Sequence, residues 1–266
     1  MYNFTYHRPT GLRQAGNMLT KLEDAKLLAG GQTLIPVMKQ RLASPTNIVD
    51  LNKIDGLAGI ELKGRSLVIG AMTRHVDVAN SEVVKANLPA LAELAEMVGD
   101  PHVRHRGTLG GSIANNDPNA DYPAACVGLG ATIITTKRRI HADDFFKGLF
   151  ETALEADEII TKVNFPLAKK AGYIKFRNPA SRFALVGVFV SKRGSEIRVA
   201  VTGAGASGVF RVASFEEALK KRFAAKSLDG LTVPATGLAS DIHGSAEYRP
   251  HLIGVLAKRA VAKATA

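Results

Sequence analysis

Two glycine-centred segments, far apart along the chain, constrain its fold more than any other feature. The first, residues 29–36, reads Ala-Gly-Gly-Gln-Thr-Leu-Ile-Pro, and the second, residues 107–117, reads Gly-Thr-Leu-Gly-Gly-Ser-Ile-Ala-Asn-Asn-Asp. Glycine lets the main chain approach a ligand closely and adopt positive φ. Successive free N–H groups in such turns form a concave anion site. Two such segments can hold one diphosphate from both sides, which predicts a dinucleotide site without a single-loop fingerprint.

Composition narrows the remaining classes of protein. The 266 residues are 46% hydrophobic, which predicts a large core in one or two domains, and no apolar run is long enough to span a membrane. The N-terminal residues lack the layout of a signal peptide, and a single cysteine, Cys126, excludes a disulfide framework or a cysteine-rich cluster site. A cytoplasmic protein is therefore expected.

Charge and histidine spacing suggest two other functions, and we expect neither. The net charge is +11, but the basic residues are dispersed and are not interleaved with aromatic residues, so no nucleic-acid surface is predicted. His102 and His105 form a His-x-x-His pair without an evident third ligand, so no metal site is predicted.

Hydrophobic periodicity predicts an α+β chain. Residues 100–120 show no periodicity, and a loop of this length inside a compact domain is usually functional. Residues 167–172 are a plausible domain boundary, followed by a hairpin around Gly194 and an antiparallel sheet with packed helices. Helices are expected at 11–23, 74–86, 89–98, 121–130, 214–223 and 250–263. Strands are expected at 25–29, 46–51, 60–70 (as a hairpin), 131–136, 158–165, 183–192 and 196–203.

A third glycine-rich stretch, residues 203–208, matches G-x-G-x-x-G and follows an expected strand. A dinucleotide-binding loop of that type requires a helix that opens at the last glycine and an acidic residue about 20 positions further on. Here residues 209–213 intervene, and the better helix start is Ser214, with Glu217 completing a capping box. The stretch is therefore interpreted as a tight turn after a strand.

The two glycine segments also carry a family resemblance. Residues 28–36, 106–114 and 117–124 together resemble the FAD-binding medium subunit of the molybdenum hydroxylases, the xanthine dehydrogenase and carbon monoxide dehydrogenase family. Weaker similarity continues through residues 150–161, 173–177 and 202–205, so the resemblance covers nearly the whole chain.

The resemblance implies a fold of the vanillyl-alcohol-oxidase type. Residues 1–55 and 56–170 would be its two α/β subdomains, and residues 171–266 a C-terminal domain. It also implies sites for the diphosphate, the ribityl chain, the adenine and the flavin ring. The implied cofactor-binding residues are Ala29, Gly30, Gly31, Gln32, Thr33, Leu34, Thr108, Gly111, Ser112, Asn115, Asp121, Ile160 and Lys175. From the residues alone, the alternative role of Asp121 is to cap a helix, and that of Lys175 is to point from its strand into solvent.

The resemblance further implies a role in electron transfer. Such a subunit accepts electrons from two [2Fe–2S] clusters of a small partner subunit and passes them to an external acceptor. Substrate hydroxylation takes place on a large molybdenum subunit, and the complex would be a dimer of heterotrimers. Because the amide of Gln32 cannot attack a flavin methyl group, non-covalent FAD is expected, and no residue is assigned a catalytic role. A self-contained flavin reductase similar to UDP-N-acetylenolpyruvoylglucosamine reductase remains the alternative.

Overall fold

A short parallel sheet carries the first glycine segment. The computed structural model describes all residues, 1–266, and its strand order here is β1-β3-β2. Strand β2 runs directly into the segment, so the segment lies at the carboxyl end of a parallel strand, the usual place for ligand loops in such sheets. The elements are β1 (Thr5–His7), α1 (Leu12–Lys21), β2 (Ala25–Leu28), α2 (Leu34–Lys39) and β3 (Asn47–Asp50).

An antiparallel sheet of five strands forms the second layer, in the order β4-β5-β10-β6-β7. Residues such as Leu67, Ile69 and Val163 alternate with half-exposed residues along its strands, and they build one face of the largest core cluster. The strands are β4 (Ile60–Lys63), β5 (Ser66–Gly70), β6 (Thr132–Thr135), β7 (Arg139–His141) and β10 (Ile160–Pro166), with a separate hairpin of β8 (Phe146–Gly148) and β9 (Glu151–Thr152).

Short helices connect these strands, and they correct two expectations. Residues 100–120 are not an irregular loop but contain two helices, because the side chains of Asp100 and Thr108 each cap a helix start. The expected helix at 74–86 is instead two helices, since the Ser81 side chain caps a second start. The helices are α3 (His75–Asn80), α4 (Glu82–Asn87), α5 (Pro89–Glu96), α6 (Pro101–Arg106), α7 (Leu109–Asn115), α8 (Tyr122–Leu129) and α9 (Ala142–Phe145).

A four-stranded antiparallel sheet with helices packed on it forms the C-terminal part, as expected. One sheet face, including Val188 and Val201, packs against the two C-terminal helices, whereas Phe189 and Ala200 on the other face join the core beneath α8. Both faces are thus covered, which explains the long buried run of β12. The elements are β11 (Lys170–Arg177), β12 (Ala184–Arg193), β13 (Glu196–Thr202), β14 (Phe210–Arg211), α10 (Ala213–Lys221) and α11 (Tyr248–Thr265).

The G-x-G-x-x-G stretch at residues 203–208 is a turn after β13, followed by β14 and not by a helix. The capping box expected at Ser214 and Glu217 is wrong, since α10 starts one residue earlier and has no side-chain cap. The reason is Glu216, whose carboxylate accepts hydrogen bonds from the Val199 amide and from Arg211 and thereby ties the helix to the sheet edge.

Candidate functional site

The two glycine segments touch each other in the folded chain. A Cβ atom built on Gly30 would lie 2.2 Å from the carbonyl oxygen of Arg106 and 2.7 Å from the Cα of Gly107. One built on Gly111 would lie 3.3 Å from the Cβ of Ala29. Glycine is therefore required at residue 30, because only a missing side chain lets the two backbones come this close.

A cleft of about 630 Å³ opens beside this contact. Its volume is typical of sites that bury a ligand the size of a cofactor. Twelve of the thirteen residues predicted to bind the cofactor line the cleft, and only Lys175 does not. The twelve are Ala29, Gly30, Gly31, Gln32, Thr33, Leu34, Thr108, Gly111, Ser112, Asn115, Asp121 and Ile160.

The first glycine segment offers unpaired backbone donors. The N–H groups of Gly30, Gly31, Gln32 and Thr33 donate to no acceptor within the chain. Gly31 has a φ of +73°, so the chain turns tightly here and consecutive N–H groups converge. Gly30 and Gly31 are half-buried, where a backbone donor without a partner is uncommon, and Gln32 and Thr33 are exposed. The four donors are thus free to bind an anion such as a diphosphate.

The second glycine segment contributes mainly side chains and space, because most of its amides are paired within the chain. The amides of Leu109 and Gly110 donate to the carbonyls of Thr73 and Ala71, and the amide of Gly111 donates to the Thr108 hydroxyl. Ser112 and Asn115 stand one turn apart on α7 and both line the cleft, so their side chains lie on the same helix face. The two segments therefore differ in chemistry, with main-chain donors on one side and side-chain polar groups on the other.

Asp121 lies at the cleft wall where α8 begins. Its side chain makes no cap hydrogen bond to the helix, so the capping role is wrong. Instead, one carboxylate oxygen accepts from the Tyr173 hydroxyl at 2.5 Å, and the other accepts from the Lys175 ammonium at 2.9 Å. Burial raises the pKa of Asp121, and the neighbouring Lys175 charge and Tyr173 hydrogen bond counteract that rise.

The alternation of side chains along a strand allowed Lys175 to point into solvent, but it is buried. Its side chain is 0% exposed and its ammonium also donates to the carbonyl oxygen of Met97 at 3.1 Å. Since it does not line the cleft, it reaches the site only through Asp121.

Ile160 lies at the start of β10 and forms another wall of the cleft. The sequence did not indicate that acidic residues lie beside it. Glu155 and Glu158 also line the cleft. Arg138 and the Thr135 hydroxyl hold Glu158, and these hydrogen bonds outweigh its burial and lower its pKa to about 2. Glu158 therefore stays ionised and fixes the turn that leads into Ile160.

Several residues of the cleft rim carry no sequence signal. Phe150 and Arg182 line the cleft with φ values of +55° and +63°, in the left-handed region that side chains other than glycine rarely adopt. The Phe150 loop is held by Asn116, whose amide group donates to the carbonyls of Gly148 and Glu151. Strain of this kind concentrates at ligand sites, so it supports the cleft as the functional site.

His75 is a further lining residue that the sequence did not indicate. It is 4% exposed, its ring lies 5.3 Å from that of Tyr122, and its Nδ1 atom has no hydrogen-bond partner. Burial and the nearby charge of Arg104 lower its pKa to about 4. His75 is therefore neutral at physiological pH and presents an unpaired polar atom beside the cleft.

We expect the His75 environment to make the fold acid-sensitive. Because the folded pKa lies below the unfolded value, the unfolded chain binds more protons, so stability is complete above about pH 6.5 and falls as the pH drops toward 4. The loss should reach about 3 kcal/mol. Urea unfolding from pH 7.5 to 4 measures it. His75→Phe should flatten the slope, whereas His102→Gln, at an exposed position on α6, should keep it. Equal slopes for wild type and His75→Phe would contradict this assignment.

No group of three or more His, Cys, Asp or Glu side chains is arranged to hold a metal ion, and His102 and His105 are both exposed on α6. None of the helices combines the length and the apolar character that crossing a bilayer demands.

Comparison with known proteins gives a consistent result. Residues 2–168 match the family described as the FAD binding domain in molybdopterin dehydrogenase. The chain is 37% identical to the carbon monoxide dehydrogenase medium chain of Hydrogenophaga pseudoflava, over 97% of this chain and 96% of that one. It is 36% identical to the nicotine 6-hydroxylase medium subunit of Paenarthrobacter nicotinovorans, over 98% and 97%.

Solved structures agree. A chain of the reconstituted CO dehydrogenase from Oligotropha carboxidovorans superposes with a TM-score of 0.88 at 34% identity, covering 99% of both chains. A chain of quinoline 2-oxidoreductase from Pseudomonas putida 86 gives a TM-score of 0.83 at 28% identity, over 98% of this chain and 96% of that one. These relatives confirm the expected α+β FAD-binding fold.

Proposed function

We propose, since the chain belongs to the family of FAD-binding domains of molybdopterin dehydrogenases, that its cleft holds FAD across the contact between the two glycine segments. The chain is thus an oxidoreductase subunit with FAD as its cofactor. This placement of FAD rests on one observation: the unpaired amides of residues 30–33 and the helix α7 line the same cleft.

Each part of the cleft suits one part of the cofactor. The free amides of residues 30–33 would hold the diphosphate, and the side chains of Ser112 and Asn115 would hold its other side and the ribityl hydroxyls. Ile160 would pack near the adenine, and Asp121 would accept hydrogen bonds at the flavin end. The chain's own task is to bind and orient the cofactor and to exclude water, while FAD supplies the redox chemistry when bound.

We propose that FAD binds without a covalent bond. Gln32 stands in the loop beside the diphosphate, and its amide is not a nucleophile. Cys126 is fully buried in α8 and does not line the cleft, and burial raises the pKa of its thiol, so it stays protonated. Acid precipitation of the protein should accordingly release all FAD into the supernatant.

We propose that electrons reach this subunit from a small partner with two [2Fe–2S] clusters and leave to an external acceptor. A large molybdenum subunit would hydroxylate the substrate, in a dimer of heterotrimers. The single cysteine of this chain cannot ligate a cluster, so any [2Fe–2S] cluster that reduces the flavin would lie on another chain. Relatives are named as medium chains or subunits of dehydrogenases and hydroxylases, which favours this role over a self-contained reductase.

The assembly is tested by sequencing the neighbouring reading frames and co-expressing this chain with any molybdenum and iron–sulfur subunits that they encode. Recovery of all three chains in equal amounts supports the proposal. Oxidation of a nicotinamide donor by the isolated chain with a small-molecule substrate, and no association with partners, would instead support the self-contained reductase.

The FAD site is tested directly on this chain. Gly111→Val should abolish FAD binding, because a Cβ there already lies 2.9 Å from the Thr108 hydroxyl and 3.3 Å from Ala29, so the branched side chain fills the space between the segments. Wild type should bind one FAD, and FAD at 100 times its Kd should add about 2.7 kcal/mol to the free energy of unfolding. Fluorescence titration and thermal unfolding measure both effects. Full occupancy in the Gly111→Val protein would refute this placement of the second segment.

We also propose how the three parts of the chain contribute to the cleft. Residues 1–55 and 56–170 would contribute most of the cleft lining, and residues 171–266 would add Ser181, Arg182 and Phe183 and hold Asp121 in place.

A further inference from the structure

We propose that Lys175 is a positioning residue, which holds the Asp121 carboxylate ionised and fixed at the wall of the FAD cleft. Through this ion pair, the C-terminal sheet would control a charge at a site to which it contributes few lining residues. This inference rests on the proposed function, since it concerns the cleft that we assign to FAD. It differs from the implied role of Lys175 as a residue that contacts the flavin ring.

The geometry places Lys175 behind Asp121. The Lys175 ammonium lies 2.9 Å from Asp121 Oδ2 and 3.1 Å from the carbonyl oxygen of Met97, and the two side chains of the ion pair are 0% and 3% exposed. The Tyr173 hydroxyl donates a hydrogen bond to the other carboxylate oxygen, Oδ1. Asp121 lines the cleft and Lys175 does not, so any effect of Lys175 on a ligand passes through the carboxylate.

The same sheet also fixes the backbone that carries Asp121. The Thr202 hydroxyl lies 2.6 Å from the carbonyl oxygen of Ala120 and 3.0 Å from that of Pro118, and shares its one hydrogen between them. The Gly203 amide donates to the Pro118 carbonyl at 2.8 Å. Residues 118–121 are thus tied to the ends of β13 and to β11, and the carboxylate cannot turn away without breaking these bonds.

The charges around Asp121 decide its protonation state. A buried carboxylate without a partner takes up a proton, because desolvation penalises the ionised form. The groups that face Asp121 are Tyr173, Lys175 and the more distant Arg177 on β11, together with Tyr122 on its own helix. Lys175 is the principal influence that opposes burial, so removing its charge should leave Asp121 protonated near neutral pH.

The experiment compares the pH dependence of FAD binding in matched variants of the full chain. The Kd is measured by flavin fluorescence between pH 5.5 and 8.5. Wild type and Lys175→Arg should show no inflection, whereas Lys175→Met should bind FAD roughly tenfold more weakly at low pH and recover as the pH rises. In the Asp121→Asn background, Lys175→Met should cause little further loss of FAD affinity, because the carboxylate that Lys175 positions is no longer present.

Infrared spectroscopy gives a readout that does not depend on the ligand. Lys175→Met should show a protonated carboxyl band at pH 6 that is missing in wild type and in the Asp121→Asn, Lys175→Met double variant. The double variant also guards against misfolding, since it replaces the ion pair with two neutral side chains.

The outcomes separate the two proposals. A wild-type chain that binds no FAD overturns the proposed function and this inference with it. A wild type that binds FAD, with an affinity in Lys175→Met that is normal at every pH, overturns this inference alone. A loss in Lys175→Met that is equally large in the Asp121→Asn background also overturns it, because it would show that Lys175 contacts FAD directly.

Discussion

Gly30→Ala is expected to abolish detectable FAD binding and to lower the free energy of unfolding by about 3 kcal/mol. The new Cβ would lie 2.2 Å from the carbonyl oxygen of Arg106 and 2.7 Å from the Cα of Gly107. Both atoms belong to the backbone, so no side-chain rotation relieves the overlap. The two glycine segments must separate, and the cleft between them must change shape. Fluorescence titration with FAD and urea unfolding of the apo chain measure the two effects.

The matched control is Gly16→Ala. Gly16 lies inside α1, and a Cβ there would meet no atom within 4 Å. The same substitution should therefore stabilise the chain by about 1 kcal/mol through helix propensity and leave FAD affinity unchanged. If Gly30→Ala bound FAD with wild-type affinity, the close approach of the two segments would not be what shapes the cleft.

The contact at Gly30 also shows what sequence reasoning supplies and what it does not. The residues themselves predicted that both glycine segments bind an anionic ligand, because Gly30 and Gly111 are flanked by hydroxyl and amide side chains. The two segments meet through a tertiary contact between Gly30 and the backbone of Arg106 and Gly107. Backbone atoms are the same in every residue, so the sequence carries no direct signal for this contact. The residues suggested that two such segments can hold one diphosphate from both sides, and the family resemblance supported that idea, but neither identified this backbone contact.

The helices α6 and α7 were missed for a local reason. They have six and seven residues, too few for an apolar period to emerge. Their signals are the caps Asp100 and Thr108, each of which accepts from an amide three residues on. A search for caps, rather than for periodicity, would have found both helices.

Lys175 shows why strand parity fails in this fold. Alternation along β11 predicts one buried and one exposed face, but the C-terminal sheet is covered on both faces, by α8 and its neighbours on one side and by α11 on the other. A lysine in the middle of such a strand, unlike the exposed Lys170 at its end, has no route to solvent and requires an acidic partner. That partner, Asp121, is 54 residues away in sequence, and no local pattern identifies it.

The second large effect is expected at Gly203, the first glycine of the G-x-G-x-x-G stretch. Gly203 has a φ of +80°, and a Cβ there would lie 2.3 Å from the carbonyl oxygen of Ala184. Its amide donates to Pro118 and its carbonyl accepts from Arg249, so its backbone joins the C-terminal sheet to the turn before Asp121. Gly203→Ala should cost about 4 kcal/mol of stability, from overlap and strained backbone together. It should also weaken FAD binding, because the turn that carries Asp121 loses an anchor.

Gly208, the last glycine of the same stretch, separates these causes. Its φ is +109°, yet a Cβ there would meet nothing within 4 Å. Gly208→Ala therefore strains the backbone without causing an overlap. It should lower the free energy of unfolding by about 2 kcal/mol and leave FAD affinity unchanged. Urea unfolding and FAD titration of both variants decide the point. If the stretch bound a phosphate instead, both substitutions would weaken FAD binding whatever their cost in stability. A Gly208→Ala protein that is stable but unable to bind FAD would therefore move the cofactor site to this turn and away from the cleft at Gly30.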